Sequence, residues 1–213
     1  MYGIIGLGRF GMALAETLAE SGAELIVLDN DEGKVREMRE LTENAYIVHS
    51  LDKKSLAETG IAGCDIAVVC IGEQMDVSIL TTLNLITLGV RKVIAKARSA
   101  EHGEILEKLG AEVVYPEHDM ALRLATRLET SRVLDYMQLN EQLNISKLEL
   151  PSPLAGKTVI ECDLRGRFGV NIVAIEHGGE VCDLIRPDTQ FFAGDILIVA
   201  GKKEGIAELS ALS

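Results

Sequence analysis

Tryptophan is absent from this 213-residue chain, aromatic residues make up only 4% of it, and it contains four prolines. So few aromatic side chains argue against a stacking platform for nucleic-acid bases. Basic residues are also scarce: 21 Lys and Arg stand against 33 Asp and Glu, and the formal charge is −12. Because that charge repels phosphate backbones and anionic lipids, we expect neither nucleic acid nor a membrane surface as a direct partner.

Long apolar runs are missing as well. The longest, such as Ile66–Ile71, are far shorter than the roughly 20 residues that span a bilayer. The first residues lead directly into a predicted strand, without the pattern of a signal peptide. We therefore expect a cytoplasmic protein with no inserted segment, which would act at the inner face of a membrane only through a partner.

Metal-binding and disulfide patterns are lacking too. The four cysteines form no CxxC pair and are expected to be small buried apolar residues in a reducing compartment. The four histidines are scattered, with no HExxH motif, which argues against a built-in zinc site.

What the chain does contain is a regular alternation of apolar runs and helical stretches. Such alternation predicts an α/β fold, a Rossmann-like doubly wound parallel sheet whose ligand site lies at the carboxyl ends of the strands. The six predicted strands are Tyr2–Leu7, Glu24–Asp29, Ala45–His49, Asp65–Ile71, Lys92–Ala97 and Glu112–Tyr115.

The pattern changes after the sixth strand. A long helix is predicted over Asp119–Leu139, and a small α+β domain follows. We place the domain boundary between residues 139 and 140, and expect Gly178 and Gly179 to form a tight hairpin turn. Because a core of this size is marginal alone, the second domain is expected to pack against a copy of itself. Its remaining predicted elements are Ser146–Leu150, Lys157–Leu164, Asn171–Glu176, Glu180–Asp183, Asp195–Val199 and Lys202–Leu209.

A glycine-rich motif joins the first strand to the first helix. Residues 6–11 read GLGRFG and fit G-x-G-x-x-G, and Asp29 ends the next strand. In this context the motif predicts a nucleotide site, where backbone N–H groups and the helix N-terminus bind phosphate and Asp29 binds a ribose 2′-OH. A 2′-phosphate would be repelled, so NADP is disfavoured. The cofactor-binding residues predicted here are Gly6, Leu7, Gly8, Arg9, Phe10, Gly11, Asp29 and Asn30.

Further candidates follow the carboxyl ends of the other strands. Residues after the third and fourth strands fall where an adenine ring would pack, and Lys96 ends the fifth strand. Glu117 follows the sixth strand, and a carboxylate there would tolerate phosphates only with a cation such as Mg²⁺ or Ca²⁺ between them. Four of these candidates are either ligand contacts or solvated surface residues: Arg9, His49, Lys96 and Glu117. The predicted set is completed by His49, Ser50, Leu51, Ile71, Gly72, Lys96 and Glu117, with Glu117 also the candidate metal ligand.

Catalytic constellations are not evident in the second domain. The chain has no GxSxG motif, no Walker lysine and no Cys–His pair at a suggestive spacing. This favours a sensor that binds a nucleotide as effector over an enzyme. Two alternatives stay open, an NAD-dependent oxidoreductase and a regulator of a different ion transporter.

The ordered set of motifs resembles a known family. The GLGRFG loop, AVVCIGE at 67–73, KVIAKAR at 92–98, LGAEVVYPEHDMA at 109–121 and the small second domain are similar to the cytosolic potassium-transport regulators of the KtrA/TrkA type. The resemblance covers essentially the whole chain and implies an RCK N-terminal and an RCK C-terminal domain. Glu73 stands where close relatives commonly have a small residue.

The resemblance also implies partners and ligands. Family members form homodimers that assemble into an octameric ring on a membrane potassium-transporting subunit of the KtrB/TrkH type, and they bind ATP, ADP or NAD(H). The residue matching Arg9 reaches phosphate across a subunit interface, and the one matching Glu117 lies near the phosphates, in some members with a divalent cation. Several relatives bind cyclic di-AMP in the second domain, where the matching residues are Val159, Ile160, Leu164, Arg165, Asn171, Ile172 and Pro187. The aliphatic members of that set are equally suited to the domain core.

Overall fold

The computed structural model describes residues 1–129, 133–140 and 142–212, which form two compact units. The first unit is Met1–Pro116 and the second is Glu117–Ser213. The boundary expected between residues 139 and 140 stays a prediction, because compactness alone does not define a functional domain.

The first unit alternates strands and helices as the sequence indicates. Short 3₁₀ turns aside, its elements in chain order are β1 (Tyr2–Ile5), α1 (Arg9–Glu20), β2 (Leu25–Asp29), α2 (Glu32–Met38), β3 (Ala45–Ile47), α3 (Lys53–Glu58), β4 (Ile66–Val69), α4 (Met75–Thr87), β5 (Lys92–Lys96), α5 (Ala100–Leu109) and β6 (Glu112–Val114).

All six strands of this unit are parallel, in the order β3-β2-β1-β4-β5-β6. The order reverses direction between β1 and β4, and the carboxyl ends of these two strands are where ligands bind in doubly wound sheets. Apolar clusters cover both faces of the sheet, one built around Leu85 and Leu106 and the other around Ala15 and Met38. Burial on both faces explains why the central strands are continuously apolar. The prediction of a Rossmann-like parallel sheet is confirmed.

The second unit is built on an antiparallel sheet in the order β10-β9-β11-β8-β7, whose strands are β7 (Val133–Gln138), β8 (Asn144–Glu149), β9 (Asn171–His177), β10 (Glu180–Cys182) and β11 (Ile196–Gly201). The hairpin from β9 to β10 turns at Gly178 and Gly179, both with positive φ, as the sequence predicts. Its core centres on Phe191, Leu148 and Leu197. The helices are α6 (Pro116–Glu129, which starts on the last residue of the first unit), α7 (Val159–Cys162), α8 (Leu164–Phe168) and α9 (Lys203–Ser210).

Three sequence expectations are wrong in detail. The helix predicted over Asp119–Leu139 ends at Glu129, and Val133–Gln138 is a strand because it pairs with β8. The helix predicted over Lys157–Leu164 is two short helices, since Asp163 adopts a left-handed conformation between them. Cys64, Cys70 and Cys162 are buried as expected, whereas Cys182 is exposed.

In the described ranges, no helix combines the length and the apolar content required to cross a bilayer.

Candidate functional site

The glycine-rich loop connects β1 to α1 at the centre of the parallel sheet. Gly6 has a φ of +94°, a backbone conformation that favours glycine. A Cβ on Gly11 would lie 1.9 Å from the Gly6 carbonyl oxygen and 3.0 Å from Cβ of Cys70. Two of the three motif glycines are therefore required by the fold, one by its dihedral angles and one by the close approach of helix and loop.

Gly8 has no such reason to be glycine. Its φ is −68° and its ψ is −179°, which any residue adopts, and a Cβ at this position would meet no atom within 4 Å. Gly8 is also the N-cap of α1, where no side chain caps the helix. The space beside Gly8, at a helix N-terminus with backbone N–H donors, suits a phosphate group that approaches the backbone closely.

Asp29 at the end of β2 is buried, with 9% of its surface exposed. Its carboxylate accepts hydrogen bonds from the N–H groups of Leu7 and Asp31, the latter at 2.8 Å. A carboxylate has about four lone-pair positions, so it can accept further hydrogen bonds from ribose hydroxyl groups. Asp29 thus fixes the glycine-rich loop and at the same time offers an anionic acceptor beside it.

The segment after β3 lies next to Asp29, since the N–H of Val48 donates to the Asp29 carbonyl oxygen at 2.9 Å. His49 and Ser50 are exposed. The Ser50 hydroxyl donates to Asp52 at 2.5 Å, and this bond, together with the N–H of Ser55, lowers the pKa of Asp52 to about 2. The Ser50 side chain therefore supports the cap of α3, while His49 remains exposed to solvent.

Lys96 and Phe10 come together at the carboxyl ends of the central strands. The Lys96 Nζ lies 5.9 Å from the centroid of the Phe10 ring, and 3.5 Å from the position of a Cβ placed on Gly72. Burial raises the pKa of the Cys70 thiol to about 12, although the charge of Lys96 lowers it in part. Cys70 is thus a protonated packing residue, and the fold brings Phe10, Gly72 and Lys96 to one edge of the site.

Arg9 and Asn30 are exposed at this edge, and Ile71 is half-buried. Glu117 lies in the first turn of α6 and belongs to the second unit. Across the described part of the chain, no three His, Cys, Asp or Glu side chains are grouped to hold a metal ion. The role of Glu117 beside phosphates or a cation therefore stays a prediction.

The residues matched to a cyclic di-AMP site fall into two sets. Leu164 is 3% exposed and belongs to the core cluster of the second unit, and Val159 and Ile172 are partly buried against that cluster. The other four are exposed, and the N–H of Ile160 donates to the carbonyl oxygen of Pro187 at 2.9 Å. The exposed members are Ile160, Arg165, Asn171 and Pro187.

Two residues that shape the site were not among the sequence candidates. Asp31 bonds to Asp29 through its backbone and caps α2 through its side chain, which accepts from the N–H groups of Gly33 and Lys34. Cys70 packs beneath Gly11. An aspartate directly before a helical stretch is a sequence signal for a cap, whereas no sequence signal identifies the packing of Cys70.

Protein-family models match both units of the chain. The TrkA-N domain family model matches residues 2–116, and the TrkA-C domain model matches residues 145–213. The chain is 40% identical to Ktr system potassium uptake protein C of Bacillus subtilis (strain 168), over 97% of this chain and 94% of that protein. It is 32% identical to Ktr system potassium uptake protein A of the same organism, over 96% and 93%.

Solved structures agree on the fold. The RCK domain of GsuK superposes with a TM-score of 0.66 at 22% identity, covering 99% of this chain and 47% of that one. The GsuK channel bound to NAD superposes with a TM-score of 0.64 at 22% identity, covering 99% and 39%. The chain thus spans less than half of these solved chains. From its two domains and its similarity to the curated relatives, the chain belongs to the family of Ktr and Trk system potassium uptake proteins.

Proposed function

We propose that this chain is a cytoplasmic nucleotide-sensing regulatory subunit of a membrane potassium uptake system. It binds ATP, ADP or NAD(H) at the carboxyl edge of the parallel sheet and controls a transporting subunit of the KtrB/TrkH type. The nucleotide part of the proposal depends on Gly8. This glycine has ordinary dihedral angles and open space for a Cβ, so the fold does not require it, whereas the close approach of a ligand would.

The potassium part of the proposal rests on similarity across the whole chain. The match to the Ktr system protein C runs through both domains and covers 94% of that protein. The two relatives described above are potassium uptake proteins, which does not favour an NAD-dependent oxidoreductase. We therefore propose that the chain acts by binding rather than by turnover.

Each part of the site has a physical task in this proposal. The α1 N-terminus and its partial positive charge bind phosphate oxygens beside Gly8. Asp29 accepts hydrogen bonds from a ribose, and Arg9 contacts a phosphate in its own subunit or in a neighbouring one. A ligand that binds one conformation of the assembly more tightly than another shifts the population toward that conformation. Through this shift, nucleotide binding would change the activity of the membrane partner.

Assembly and further ligands belong to the same proposal. We propose a homodimer that forms an octameric ring, with Glu117 near the phosphates and a Mg²⁺ or Ca²⁺ ion accompanying ATP. Cyclic di-AMP is a candidate second ligand on the second unit. The exposed side chains of Arg165 and Asn171 support it, since they offer a cation for phosphate and a polar group for a base.

The experiment reconstitutes the chain with its membrane partner in liposomes and measures potassium flux with ATP, ADP, NAD or NADH. We expect flux to depend on both the chain and the nucleotide, while the partner alone does not respond to nucleotide. Flux of Na⁺ or of an anion in place of potassium would favour a different transporter. NADH oxidation by the purified chain would favour the oxidoreductase.

A further inference from the structure

Two basic side chains lie on the same side of Gly72, at the carboxyl ends of β4 and β5. A Cβ placed on Gly72 would lie 3.5 Å from Lys96 Nζ and 3.8 Å from Arg98 Cδ. Lys96 also lies over the ring of Phe10 in the glycine-rich loop, at 5.9 Å from its centroid. Lys96 therefore lies next to both the loop from β4 to α4 and the glycine-rich loop.

Arg98 makes one hydrogen bond from its backbone and one from its side chain. Its backbone N–H donates to Nδ1 of His102 at 3.4 Å, and His102 is buried in α5. Its guanidinium donates to the carbonyl oxygen of Glu73 at 3.5 Å. Arg98 thus links the start of α5 to the loop that follows Gly72.

The guanidinium can bind an anion in addition to this contact. It carries five N–H donors in a planar fork that matches phosphate oxygens, and the bond to Glu73 uses one nitrogen. Lys96 and Arg98 place two positive charges at this edge of a chain whose formal charge is −12, and locally concentrated positive charge attracts phosphate.

We propose that Arg98 is a specificity-determining residue of the nucleotide site, a role that rests on the proposed function. Together with Lys96 it forms a cationic edge beside Gly72 that favours ligands ending in a phosphate, such as ADP, over ligands ending in an uncharged nucleoside, such as NAD. Arg98 also positions the loop after Gly72 through the carbonyl oxygen of Glu73.

The chain supplies a matched control for the test. Arg91 lies just before the amino end of β5, carries the same charge and forms an ion pair with Asp65 at 3.3 Å. Arg91 and Arg98 are seven positions apart at opposite ends of β5, which corresponds to roughly 23 Å along an extended chain and is more than a Debye length of about 8 Å in physiological salt.

The experiment measures the dissociation constants of ADP and NAD by titration calorimetry on the full chain, for wild type and for Arg98→Gln, Arg98→Lys and Arg91→Gln. We expect Arg98→Gln to weaken ADP binding about tenfold and NAD binding less than about twofold, as the loss of a charged hydrogen bond predicts. Arg98→Lys should restore part of the ADP affinity, and Arg91→Gln should change neither constant.

Three results would overturn the role of Arg98. An unchanged ratio of ADP to NAD affinity in Arg98→Gln, with wild type binding normally, removes the specificity role and leaves the proposed function intact. An effect of the same size in Arg91→Gln shows that overall charge is responsible. If wild type binds neither ADP nor NAD, the proposed function itself fails, and the role of Arg98 fails with it.

Discussion

Asp29 supports the glycine-rich loop, and it is also the proposed acceptor for the ribose hydroxyl groups. Its buried carboxylate accepts hydrogen bonds from Leu7 in the glycine-rich loop and from Asp31 at the start of α2. The position of an acid at the end of the second strand is evident from the sequence pattern. That the same acid supports the loop is not evident, because it depends on the distance between two segments 22 residues apart.

Replacing Asp29 with alanine should affect both tasks. Because two backbone N–H groups near the site lose their acceptor, we expect the free energy of unfolding to fall by about 1–3 kcal/mol. We also expect weaker binding of every ribonucleotide, measured by calorimetry below the unfolding temperature of the variant. Asp188→Ala, at an exposed acid of the second unit, is the control. Unchanged affinity for ATP, ADP and NAD would show that Asp29 is not the ribose ligand.

His102 makes stability depend on pH. Burial, with a smaller contribution from the charge of Arg98, lowers the pKa of His102 from its usual 6.5. Its Nε2 has no hydrogen-bond partner among the described residues. As the pH falls below about 6.5 the unfolded chain takes up a proton that the folded chain resists, so the free energy of unfolding decreases until the folded pKa is reached.

We therefore expect the unfolding temperature of wild type to fall more between pH 7.5 and 5.5 than that of His102→Gln. Thermal unfolding followed by circular dichroism at several pH values measures this difference. Parallel pH profiles for the two proteins would mean that His102 does not contribute to the acid sensitivity.

At the scale of elements, the parallel sheet is predictable and the connection after it is not. Each strand of the first unit is an apolar run whose burial on both faces leaves a local sequence signal. Met120, Leu124 and Leu128 recur at helical spacing, and no glycine or proline stands between them and Leu134, so the local pattern predicts one long helix. β7 pairs with β8 in the antiparallel sheet, and the spacing of apolar residues within one segment does not reveal its pairing with another.

Asp163 separates α7 from α8, with a φ of +41° and a ψ of +54°. Its side chain accepts a hydrogen bond from the N–H of Gly166 at 3.0 Å and caps α8. We expect Asp163→Ala to lower the free energy of unfolding by about 1–2 kcal/mol, through loss of the cap and the cost of a left-handed alanine. Asp163→Asn keeps both features and should be nearly neutral. Denaturation in urea measures both variants, and equal stability of the alanine variant and wild type would contradict this account.

At the scale of the whole molecule, each of the two units carries its own set of candidate ligand-binding residues. The first unit presents Gly8, Asp29 and the cationic edge near Lys96, and the second unit presents the exposed side chains of Arg165 and Asn171. The fold class of each unit and the glycine-rich loop follow from sequence. The hydrogen bond from Arg98 to the Glu73 carbonyl oxygen does not follow from sequence, because it depends on how the ends of β4 and β5 meet in the sheet.

If the two ligands bind on different units, a substitution in one proposed site should weaken the binding of only one ligand. We expect Arg165→Ala to abolish any binding of cyclic di-AMP and to leave ATP binding unchanged, because the proposed sites for the two ligands lie on different units. Native mass spectrometry of the full chain with each ligand measures binding and particle mass together. Loss of ATP binding in Arg165→Ala would contradict the assignment of the two ligands to separate units.

The most direct test of the central claim is the affinity of wild type and of Gly8→Ser for ATP and ADP, measured by calorimetry with the unfolding temperature of both proteins. Serine suits the dihedral angles and the N-cap position of Gly8, so its stability should change by only a few tenths of a kcal/mol. The account predicts that wild type binds nucleotide and that Gly8→Ser, folded and equally stable, binds it at least about tenfold more weakly, because its side chain occupies the phosphate space. Undiminished binding by Gly8→Ser, or no binding by wild type at millimolar nucleotide, would contradict it.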